Sequence, residues 1–592
     1  MKKTMKKTKI VCTIGPSSDS YDVLKDLVSE GMNVARLNFS HGTHTEHKTR
    51  IDTIKKLRED IDEPIAIMLD TKGPEIRIKT FKDGMIRIEQ GQDFILTSED
   101  IEGDETKVSV TYKDIAKDLK VNDRVLIDDG LVEFTVKSVD ENNVYMRAVN
   151  SGELSDRKGV NLPSVKVNLP TLTEKDVEDL IFGIENDVDF IAASFIRSAS
   201  DVLEIRKILE DNGGEDIKII SKIENLEGVQ NIDEIIEVSD GIMVARGDMG
   251  VELDEEDIPL VQKDIIRKCN LKGKFVITAT QMLDSMIRNP RPTRAEVTDV
   301  ANAILDGSSA IMLSGETAAG AYPVKATEMM RKIALKIEDS LDYKILINST
   351  NDEHEINITN SIAKATREAA LDLNAKLIIA ATSSGLTARN ISKFKPKSPI
   401  IAATTNEKVR RQLSIEWGVY PIRAKLATNI DELFHDSVNI LKNIKFVKEG
   451  DLVILTAGMP LGKTGSTNIM MVKTVGKLLC KGMGIGKHKI SARACVAKNA
   501  QELEEKFNDG DIVVTIGVYK EMLPFIQRSK GIITVEGGLT SQGAIVGINY
   551  HLATVVGAKE AMENIESGEM ISVDASTGEI YEGKIFNEGE VI

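Results

Sequence analysis

Short apolar segments recur along the first 313 residues, and their spacing constrains the fold more than any other feature. The eight segments are Ile10–Ile14, Asn33–Phe39, Ile65–Leu69, Phe190–Phe195, Ile217–Ile223, Gly241–Ala245, Phe275–Thr280 and Ala310–Leu313. From the fourth onward they lie about 25–35 residues apart, the length of one β-strand plus one crossover helix. Eight parallel βα units of this kind predict an α/β fold with a TIM (β/α)8 barrel.

The interval between the third and fourth segments breaks this spacing. About a hundred residues, from Gly73 to Leu169, lie there, which is far more than a structureless loop holds. Apolar and polar residues alternate with period two in stretches such as Met85–Glu89 and Lys107–Thr111. The pattern predicts an inserted all-β domain. Because barrel active sites lie at the carboxyl ends of the strands, we expect this domain to act as a lid.

The remaining chain contains two further α/β segments. Strand-like stretches at Leu377–Ala381, Ile400–Thr404 and Leu452–Thr456 lie between helical ones, and a new pattern begins near Lys481. The predicted segments are barrel residues 1–72, inserted β domain 73–169, barrel residues 170–345, α/β domain 346–480 and C-terminal α/β segment 481–592. A length of 592 residues fits about four domains.

Composition excludes several classes of protein. With 76 Lys and Arg against 93 Asp and Glu, the net charge of −17 argues against nucleic acid or an anionic membrane as partner. The four cysteines form no CxxC pair, so we expect no disulfide framework or zinc site and predict a cytoplasmic protein. The basic start lacks the apolar stretch of a signal peptide, and no apolar run approaches the ~20 residues of a membrane span.

The second segment carries polar side chains at every other position. Arg36, Asn38 and Ser40 alternate with Leu37 and Phe39, so the polar side chains point to one face of the strand. Such a column inside a barrel is unfavourable unless it binds something. The alternative is an ordinary strand that ends at a solvated loop.

Further segments end in polar side chains on the same predicted face of the barrel. These side chains are Asp70 and Thr71 after the third segment, Lys222 and Glu224 at the fifth, Asp248 after the sixth and Thr280 at the seventh. Glu224 and Asp248 would come from adjacent strands and are the hard oxygen ligands that Mg²⁺ prefers. Lys222 beside them suits stabilisation of an oxyanion. A surface salt-bridge network is the alternative for any single pair.

Long, ordered motifs coincide with these strand ends. They are VCTIGPSS, NVARLNFSHG, LDTKGPEIR, SKIEN, GIMVARGDMG, TATQMLDSM, NPRPTRAEVTDVANA and IMLSGETA. Over about residues 8–478 the chain resembles the pyruvate kinase family. The resemblance implies a phosphotransferase that moves the phosphoryl group of phosphoenolpyruvate to ADP, giving pyruvate and ATP in glycolysis. It also implies an allosteric homotetramer.

The resemblance assigns substrate contacts to residues at the strand ends. It places Lys222 at the transferring phosphoryl group and the enolate oxygen, and Thr280 near the methylene carbon. The backbone at Gly247 and Asp248 would receive the substrate carboxylate, and Arg36 would neutralise phosphoryl charge. Such a site works by positioning and charge neutralisation, which is what phosphoryl transfer requires.

The same resemblance implies ions and a nucleotide. The divalent ion, Mg²⁺ or Mn²⁺, would be bound by Glu224 and Asp248. The ligands of K⁺ would be Asn38, Ser40, Asp70 and Thr71. The nucleotide contacts would be Arg36, Asn38, His41 and Arg77.

Two positions distinguish this chain within the family. A glutamate at position 75 accompanies K⁺ dependence, and a lysine there can replace the cation. Glu75 therefore predicts activation by K⁺. Many relatives carry a basic residue where this chain has Ser198, which puts one nucleotide contact in doubt.

Hydroxyl side chains between a predicted strand and helix of the third domain suit a phosphorylated effector. They are Thr382, Ser383, Ser384 and Thr387. Hydroxyls and free helix N–H groups can bind a phosphate, and the resemblance places the family's effector domain here, with the loop at 465–468 facing it. A sugar phosphate or a nucleoside monophosphate would fit. A plain capped helix start is the alternative.

The C-terminal segment is similar to the mobile phosphohistidine domain of enzymes that use phosphoenolpyruvate. Its relevant stretch runs from Gly537 to Ala544, and Gln542 stands where the phosphohistidine motif has His. Because an amide cannot carry a phosphoryl group, we expect a structural or interface role for this segment.

Two other functions remain open from the sequence. One is a metal-dependent lyase with the same Lys, Glu and Asp but no need for the β-lid or Arg77. The other is a metabolite sensor or scaffold that has lost catalysis, against which the presence of Lys222, Glu224, Asp248 and Thr280 argues.

Overall fold

The computed structural model describes residues 5–343, 355–427, 429–459 and 467–586. The predicted boundary at 345/346 and both chain ends lie outside these ranges. The chain divides into one compact unit of residues 1–371, 378–429 and 456–470 and a second of residues 372–377, 430–455 and 471–592. Among the described helices, none combines the length and hydropathy needed to cross a membrane.

The first unit opens with three parallel strands separated by helices. The elements are β1 (Lys9–Thr13), α1 (Tyr21–Ser29), β2 (Val34–Asn38), α2 (His44–Ile61) and β3 (Ala66–Asp70). The three strands are almost entirely buried, and their apolar runs carry the β-branched and aliphatic residues typical of parallel sheets.

An inserted β domain follows β3. Its elements are β4 (Met85–Ile88), β5 (Asp93–Thr97), β6 (Lys107–Ser109), α3 (Ile115–Asp118), β7 (Arg124–Ile127), β8 (Val132–Val139), β9 (Asn143–Ala148), β10 (Gly152–Ser155) and β11 (Val160–Asn161). Six strands form a sheet of order β11-β7-β8-β9-β5-β6, and β10 pairs with β4. Inward-facing side chains such as Phe94 and Phe134, whose rings stack 5.6 Å apart, form its own core. The predicted all-β insertion is confirmed, apart from the short helix α3.

After the insertion the barrel resumes. Its elements are α4 (Glu174–Glu185), β12 (Phe190–Ala193), α5 (Ala199–Asp211), β13 (Lys218–Ile223), α6 (Leu226–Gln230), α7 (Ile232–Val238), β14 (Gly241–Ala245), α8 (Arg246–Glu252), α9 (Ile258–Lys272), β15 (Phe275–Ala279), a 3₁₀ turn (Asp284–Ile287), α10 (Arg294–Leu305), β16 (Ala310–Leu313), α11 (Gly315–Ala318) and α12 (Pro323–Ser340). The strands close in the order β1-β16-β15-β14-β13-β12-β3-β2. The predicted (β/α)8 barrel is confirmed.

Local sequence signals fix where several barrel helices begin. Thr43, Thr173 and Thr293 cap α2, α4 and α10, and each forms a capping box with an acidic residue three positions later. The reciprocal bonds satisfy backbone N–H groups that the first helical turn leaves without partners. Inside the barrel, Met68, Phe190, Ile220, Met243 and Ile277 belong to one buried cluster, as expected for a barrel whose interior is packed with side chains.

An α/β segment completes the first unit. It contains α13 (Ile358–Asp372), β17 (Leu377–Ala381), α14 (Leu386–Ser392), β18 (Ile400–Thr404), α15 (Glu407–Gln412), a 3₁₀ turn (Leu413–Ile415) and β19 (Val419–Arg423). The strands β17, β18 and β19 pair in parallel, with Ile378 beside Ile400 and Ile400 beside Val419. Strand β19 is not among the strands predicted from the sequence; it contains Pro421, a residue type that is disfavoured inside a sheet.

The second unit has its own large mixed sheet. From residue 430 onward the chain contains α16 (Ile430–Asn443), β20 (Leu452–Ala457), β21 (Ile469–Thr474), β22 (Leu478–Lys481), β23 (Met483–Ile485), β24 (Lys489–Val496), α17 (Ala500–Lys506), β25 (Ile512–Thr515), a 3₁₀ turn (Lys520–Met522), α18 (Leu523–Ile526), β26 (Gly531–Thr534), α19 (Gln542–Asn549), β27 (Ala553–Val556), α20 (Ala561–Asn564), β28 (Met570–Asp574) and β29 (Glu579–Glu582). The sheet has the order β22-β29-β28-β24-β25-β26-β27-β23. The C-terminal segment is therefore α/β, as predicted.

A close contact between two barrel strands yields a stability prediction. A Cβ atom added to Gly241 would lie 2.2 Å from a ring carbon of Phe275 on the neighbouring strand. We expect Gly241→Ala to destabilise the barrel by about 1–3 kcal/mol and to lower the midpoint of thermal unfolding measured by circular dichroism. Gly159→Ala is the matched control, since a Cβ there meets nothing within 4 Å. An unchanged midpoint for Gly241→Ala contradicts the packing argument.

Candidate active site

Four charged side chains of alternating sign meet at the carboxyl ends of the barrel strands. Arg36 Nε lies 2.6 Å from Asp70 Oδ2, and Lys222 Nζ lies 3.1 Å from Asp70 Oδ1 and 2.8 Å from Glu224 Oε1. Asp70 and Glu224 are each 1% exposed, and Arg36 and Lys222 are each 8% exposed. Buried charges of this kind persist only when they are paired, so the four side chains form one interdependent set.

The charges of this set stabilise one another. Burial lowers the pKa of Lys222, but Asp70 and Glu224 outweigh burial and hold it above the ordinary lysine value. Burial raises the pKa of Asp70, and Arg36 and Lys222 more than reverse this, so that it lies below its usual range. The ammonium and the Asp70 carboxylate are therefore both charged at neutral pH.

The two predicted ligands of a divalent ion lie side by side. Burial raises the pKa of Glu224 to about 7 against the opposing charge of Lys222, and the nearby Asp248 carboxylate adds to the rise. Burial also raises the pKa of Asp248. A divalent cation between the two carboxylates would remove this mutual repulsion, so their chemistry fits Mg²⁺ or Mn²⁺. No group of three or more His, Cys, Asp or Glu in the described ranges is arranged to hold a metal, so water and substrate oxygens would complete the shell.

Thr280 stands in a strained backbone conformation beside the start of α8. Its φ of +67° is left-handed, which is rare for a β-branched residue, and Gln281 has a φ of +54°. The Gly247 N–H donates to Thr280 Oγ1 at 2.7 Å. Arg246 donates to the Thr280 carbonyl at 2.8 Å and pairs with Asp299 at 2.7 Å. Arg246 thus orients Thr280.

The predicted K⁺ ligands also lie together. Asn38 and Asp70 are register partners on β2 and β3, and the Ser40 N–H donates to Asn38 Oδ1 at 3.1 Å. The Thr71 N–H donates to the Ala192 carbonyl at 3.0 Å. The atoms of these residues that could coordinate a cation are oxygens, which is the ligand chemistry that a hard monovalent cation requires.

The predicted nucleotide-binding residues do not form one cluster. His41 is exposed after β2, and its carbonyl accepts from His47 Nε2 at 2.9 Å. Within the described ranges, Arg77 pairs with Glu75 at 2.5 Å and donates to the Arg157 carbonyl at 2.7 Å. These contacts lie within the inserted β domain and its entrance, so Arg77 does not join Arg36 in the charged set.

The sequence analysis did not identify several residues of the site. Ser194 Oγ accepts from Lys222 Nζ at 2.7 Å and donates to the Thr71 carbonyl at 2.6 Å, so it links the charged set to the cation ligands. Thr13 Oγ1 accepts from Arg36 Nη1 at 2.9 Å. Each hydroxyl residue ends or directly follows a barrel strand, the same signal that identified Asp70 and Lys222. Arg246 follows β14 and could have been found in this way too.

The candidate effector segment connects β17 to α14. Gly385 has a φ of +85°, and Arg389 donates to the Ser384 carbonyl at 3.0 Å. Thr467 Oγ1 donates to Thr387 Oγ1 at 3.1 Å. Of the predicted facing loop, residues 465 and 466 lie outside the described ranges.

Gln542, which stands where the phosphohistidine motif has His, is the first residue of α19. Gln542 follows Ser541, whose hydroxyl caps the helix by accepting from the Ala544 N–H at 3.3 Å.

Comparison with known proteins agrees with this geometry. The pyruvate kinase barrel domain matches residues 5–327, the pyruvate kinase alpha/beta domain matches residues 360–473, and the mobile domain of PEP-utilising enzymes matches residues 507–578. A pyruvate kinase of Staphylococcus haemolyticus is 50% identical over 581 residues, 98% of this chain and 99% of its own. One from Sporosarcina psychrophila is 51% identical over the same shares of the two chains.

A solved structure agrees as well. The crystal structure of a pyruvate kinase from Cryptosporidium parvum superposes with a TM-score of 0.77 at 40% identity, and it covers 79% of this chain and 96% of its own. The chain belongs to the pyruvate kinase family and is a phosphotransferase.

Proposed function

We propose that this protein transfers the phosphoryl group of phosphoenolpyruvate to ADP, giving pyruvate and ATP in glycolysis. The observation that carries the proposal is the buried Lys222 ammonium, held between Asp70 and Glu224 at the ends of the barrel strands. Charge develops on the enolate oxygen as the phosphoryl group leaves, and a fixed cation in a dry site stabilises it strongly. No covalent catalysis by the protein is needed.

Each remaining residue of the site has a role in this reaction. Arg36 and Lys222 would neutralise phosphoryl charge, while the backbone at Gly247 and Asp248, at the start of α8, would receive the substrate carboxylate. Thr280 would lie near the methylene carbon of the substrate. Glu224 and Asp248 would hold Mg²⁺ or Mn²⁺, which supplies positive charge beside the transferring group.

The monovalent site and the nucleotide contacts belong to the same proposal. Asn38, Ser40, Asp70 and Thr71 would hold K⁺. The nucleotide would be bound by Arg36, Asn38, His41 and Arg77. The inserted β domain would exclude water during transfer, which limits hydrolysis of the phosphoryl donor.

Regulation and assembly are further parts of the proposal. A phosphorylated effector, either a sugar phosphate or a nucleoside monophosphate, would bind Thr382, Ser383, Ser384 and Thr387. The protein would act as a cytoplasmic homotetramer. The C-terminal segment would serve in structure or in contacts between subunits, because Gln542 lacks the nucleophilic nitrogen of a phosphoryl carrier.

Replacing the central ammonium tests the proposed reaction. We expect Lys222→Met to lower kcat by about 10²–10³ or more, because it removes the fixed charge at the enolate oxygen. Pyruvate is followed in a coupled assay with phosphoenolpyruvate, ADP, Mg²⁺ and K⁺. Lys218→Met on the same strand, whose ammonium pairs with Asp240 at 3.2 Å, is the control and should retain activity.

The same assay separates the alternatives. Pyruvate formation by the wild type that does not need ADP would favour a lyase, and no formation at all would favour a sensor. Normal turnover by Lys222→Met would overturn the role of this side chain.

Exchange at position 75 tests the role of K⁺. We expect wild-type activity to rise with KCl at constant ionic strength, and Glu75→Lys to be active without K⁺, because its ammonium would supply the missing positive charge. Pyruvate formation is measured against KCl, with tetramethylammonium chloride as the replacing salt. A variant that needs K⁺ as strongly as the wild type refutes the expectation.

Removal of hydroxyls tests the effector segment. We expect the double variant Ser383→Ala and Ser384→Ala to lose activation by sugar phosphates or nucleoside monophosphates, since each lost charge-assisted hydrogen bond weakens binding. Activity is titrated with each compound at low phosphoenolpyruvate. Unaltered half-activation with every compound that activates the wild type would exclude these hydroxyls from the effector site.

A further inference from the structure

The first turns of α4 contact both chain segments that carry the predicted K⁺ ligands. This helix begins where the chain returns from the inserted β domain, and Thr173 caps it. One segment, residues 38–40, begins with the last residue of β2, and the other, residues 70–73, begins with the last residue of β3. The function proposed above gives no role to α4.

Lys175 binds the first segment. Its Nζ donates to the Phe39 carbonyl at 2.7 Å. That carbonyl belongs to the peptide joining Phe39 to Ser40, and the N–H of the same peptide donates to Asn38 Oδ1 at 3.1 Å. Lys175 therefore fixes the plane of a peptide that sits between two predicted K⁺ ligands.

Asp176 binds the second segment. Its Oδ1 accepts from the Gly73 N–H at 3.0 Å, while its Oδ2 accepts from the Thr173 backbone N–H at 2.9 Å. The carboxylate is fully buried, so both bonds form away from water, where such bonds are strong. Gly73 has a φ of +72°, and a Cβ there would lie 2.9 Å from the Ser194 Cβ. Asp176 thus holds the chain two residues after Thr71 in a conformation only glycine adopts easily.

A third contact comes from one helical turn further on. The buried Asp179 pairs with Nε2 of His44, the first residue of α2, at 2.6 Å, and with Lys175 at 3.4 Å. One side of α4 therefore contacts the loop after β2 at Phe39, the start of α2 at His44 and the segment after β3 at Gly73.

We propose that Lys175 and Asp176 are positioning residues that set the geometry of the monovalent-cation site. The inference rests on the proposed K⁺ site. A monovalent ion binds weakly to each oxygen, so its affinity depends on how closely the oxygens are preorganised. Groups that orient the ligands of a metal ion commonly change its affinity when they are removed.

The test compares how much K⁺ the variants need. Wild type, Lys175→Met, Lys175→Arg and Asp176→Asn are assayed for pyruvate formation against KCl, at constant ionic strength with tetramethylammonium chloride. Glu178→Gln is the matched control, because Glu178 lies exposed on the same helix. The midpoint of thermal unfolding is measured against KCl in parallel, as a readout that does not depend on turnover.

We expect Lys175→Met and Asp176→Asn to raise the KCl concentration for half-activation by about tenfold, with most of kcat recovered at saturating K⁺. Asparagine keeps an acceptor for the helix cap but presents an NH₂ group to the Gly73 N–H. Lys175→Arg should restore part of the K⁺ affinity, and Glu178→Gln should match the wild type. The K⁺ concentration that stabilises the fold should shift in the same order.

Two results overturn the inference in distinguishable ways. If the wild type responds to K⁺ and Lys175→Met needs no more K⁺, or loses kcat equally at every concentration, the positioning role is wrong while the cation site stands. If K⁺ affects neither the activity nor the unfolding midpoint of the wild type, the cation site and the positioning role fail together. If Asp176→Asn misfolds, Lys175→Met alone decides the test. Its fold should be unaffected, because the Lys175 side chain is half exposed.

Discussion

The site depends on a buried set of alternating charges formed by Arg36, Asp70, Lys222 and Glu224. Each of these side chains would be expensive to bury alone, and the charged forms of Asp70 and Lys222 are stabilised by neighbours of opposite sign. The arrangement needs a closed barrel. Asp70 ends β3 and Lys222 lies on β13, with β12 between them in the barrel, so the two meet only across its interior.

The space around this set is filled by groups that orient it. Ser194, which follows the intervening strand β12, bonds to both Lys222 and the Thr71 carbonyl. Arg246 binds the carbonyl of Thr280, whose backbone is strained, and also pairs with Asp299. A preorganised site of this kind loses little energy in rearranging when charge moves during reaction.

The overall acidity of the chain and the chemistry of its site are compatible because they act over different distances. The net charge of −17 is spread over the protein, where water and salt screen it. Arg36 and Lys222 are almost fully buried and act on whatever lies within a few ångströms.

The sequence by itself determined the faces of the strands and the order of the elements. Period-two alternation placed Arg36 and Asn38 on one side of β2, and the spacing of apolar segments predicted eight barrel strands and an inserted β domain. These properties are local, because side-chain direction alternates along any strand. Tertiary structure alone decided which strand ends meet: the contact of Lys222 with Asp70 joins residues 152 positions apart. It also placed Asp176 against Gly73, since a pattern along the chain carries no information about which distant residue fills the space beside a side chain.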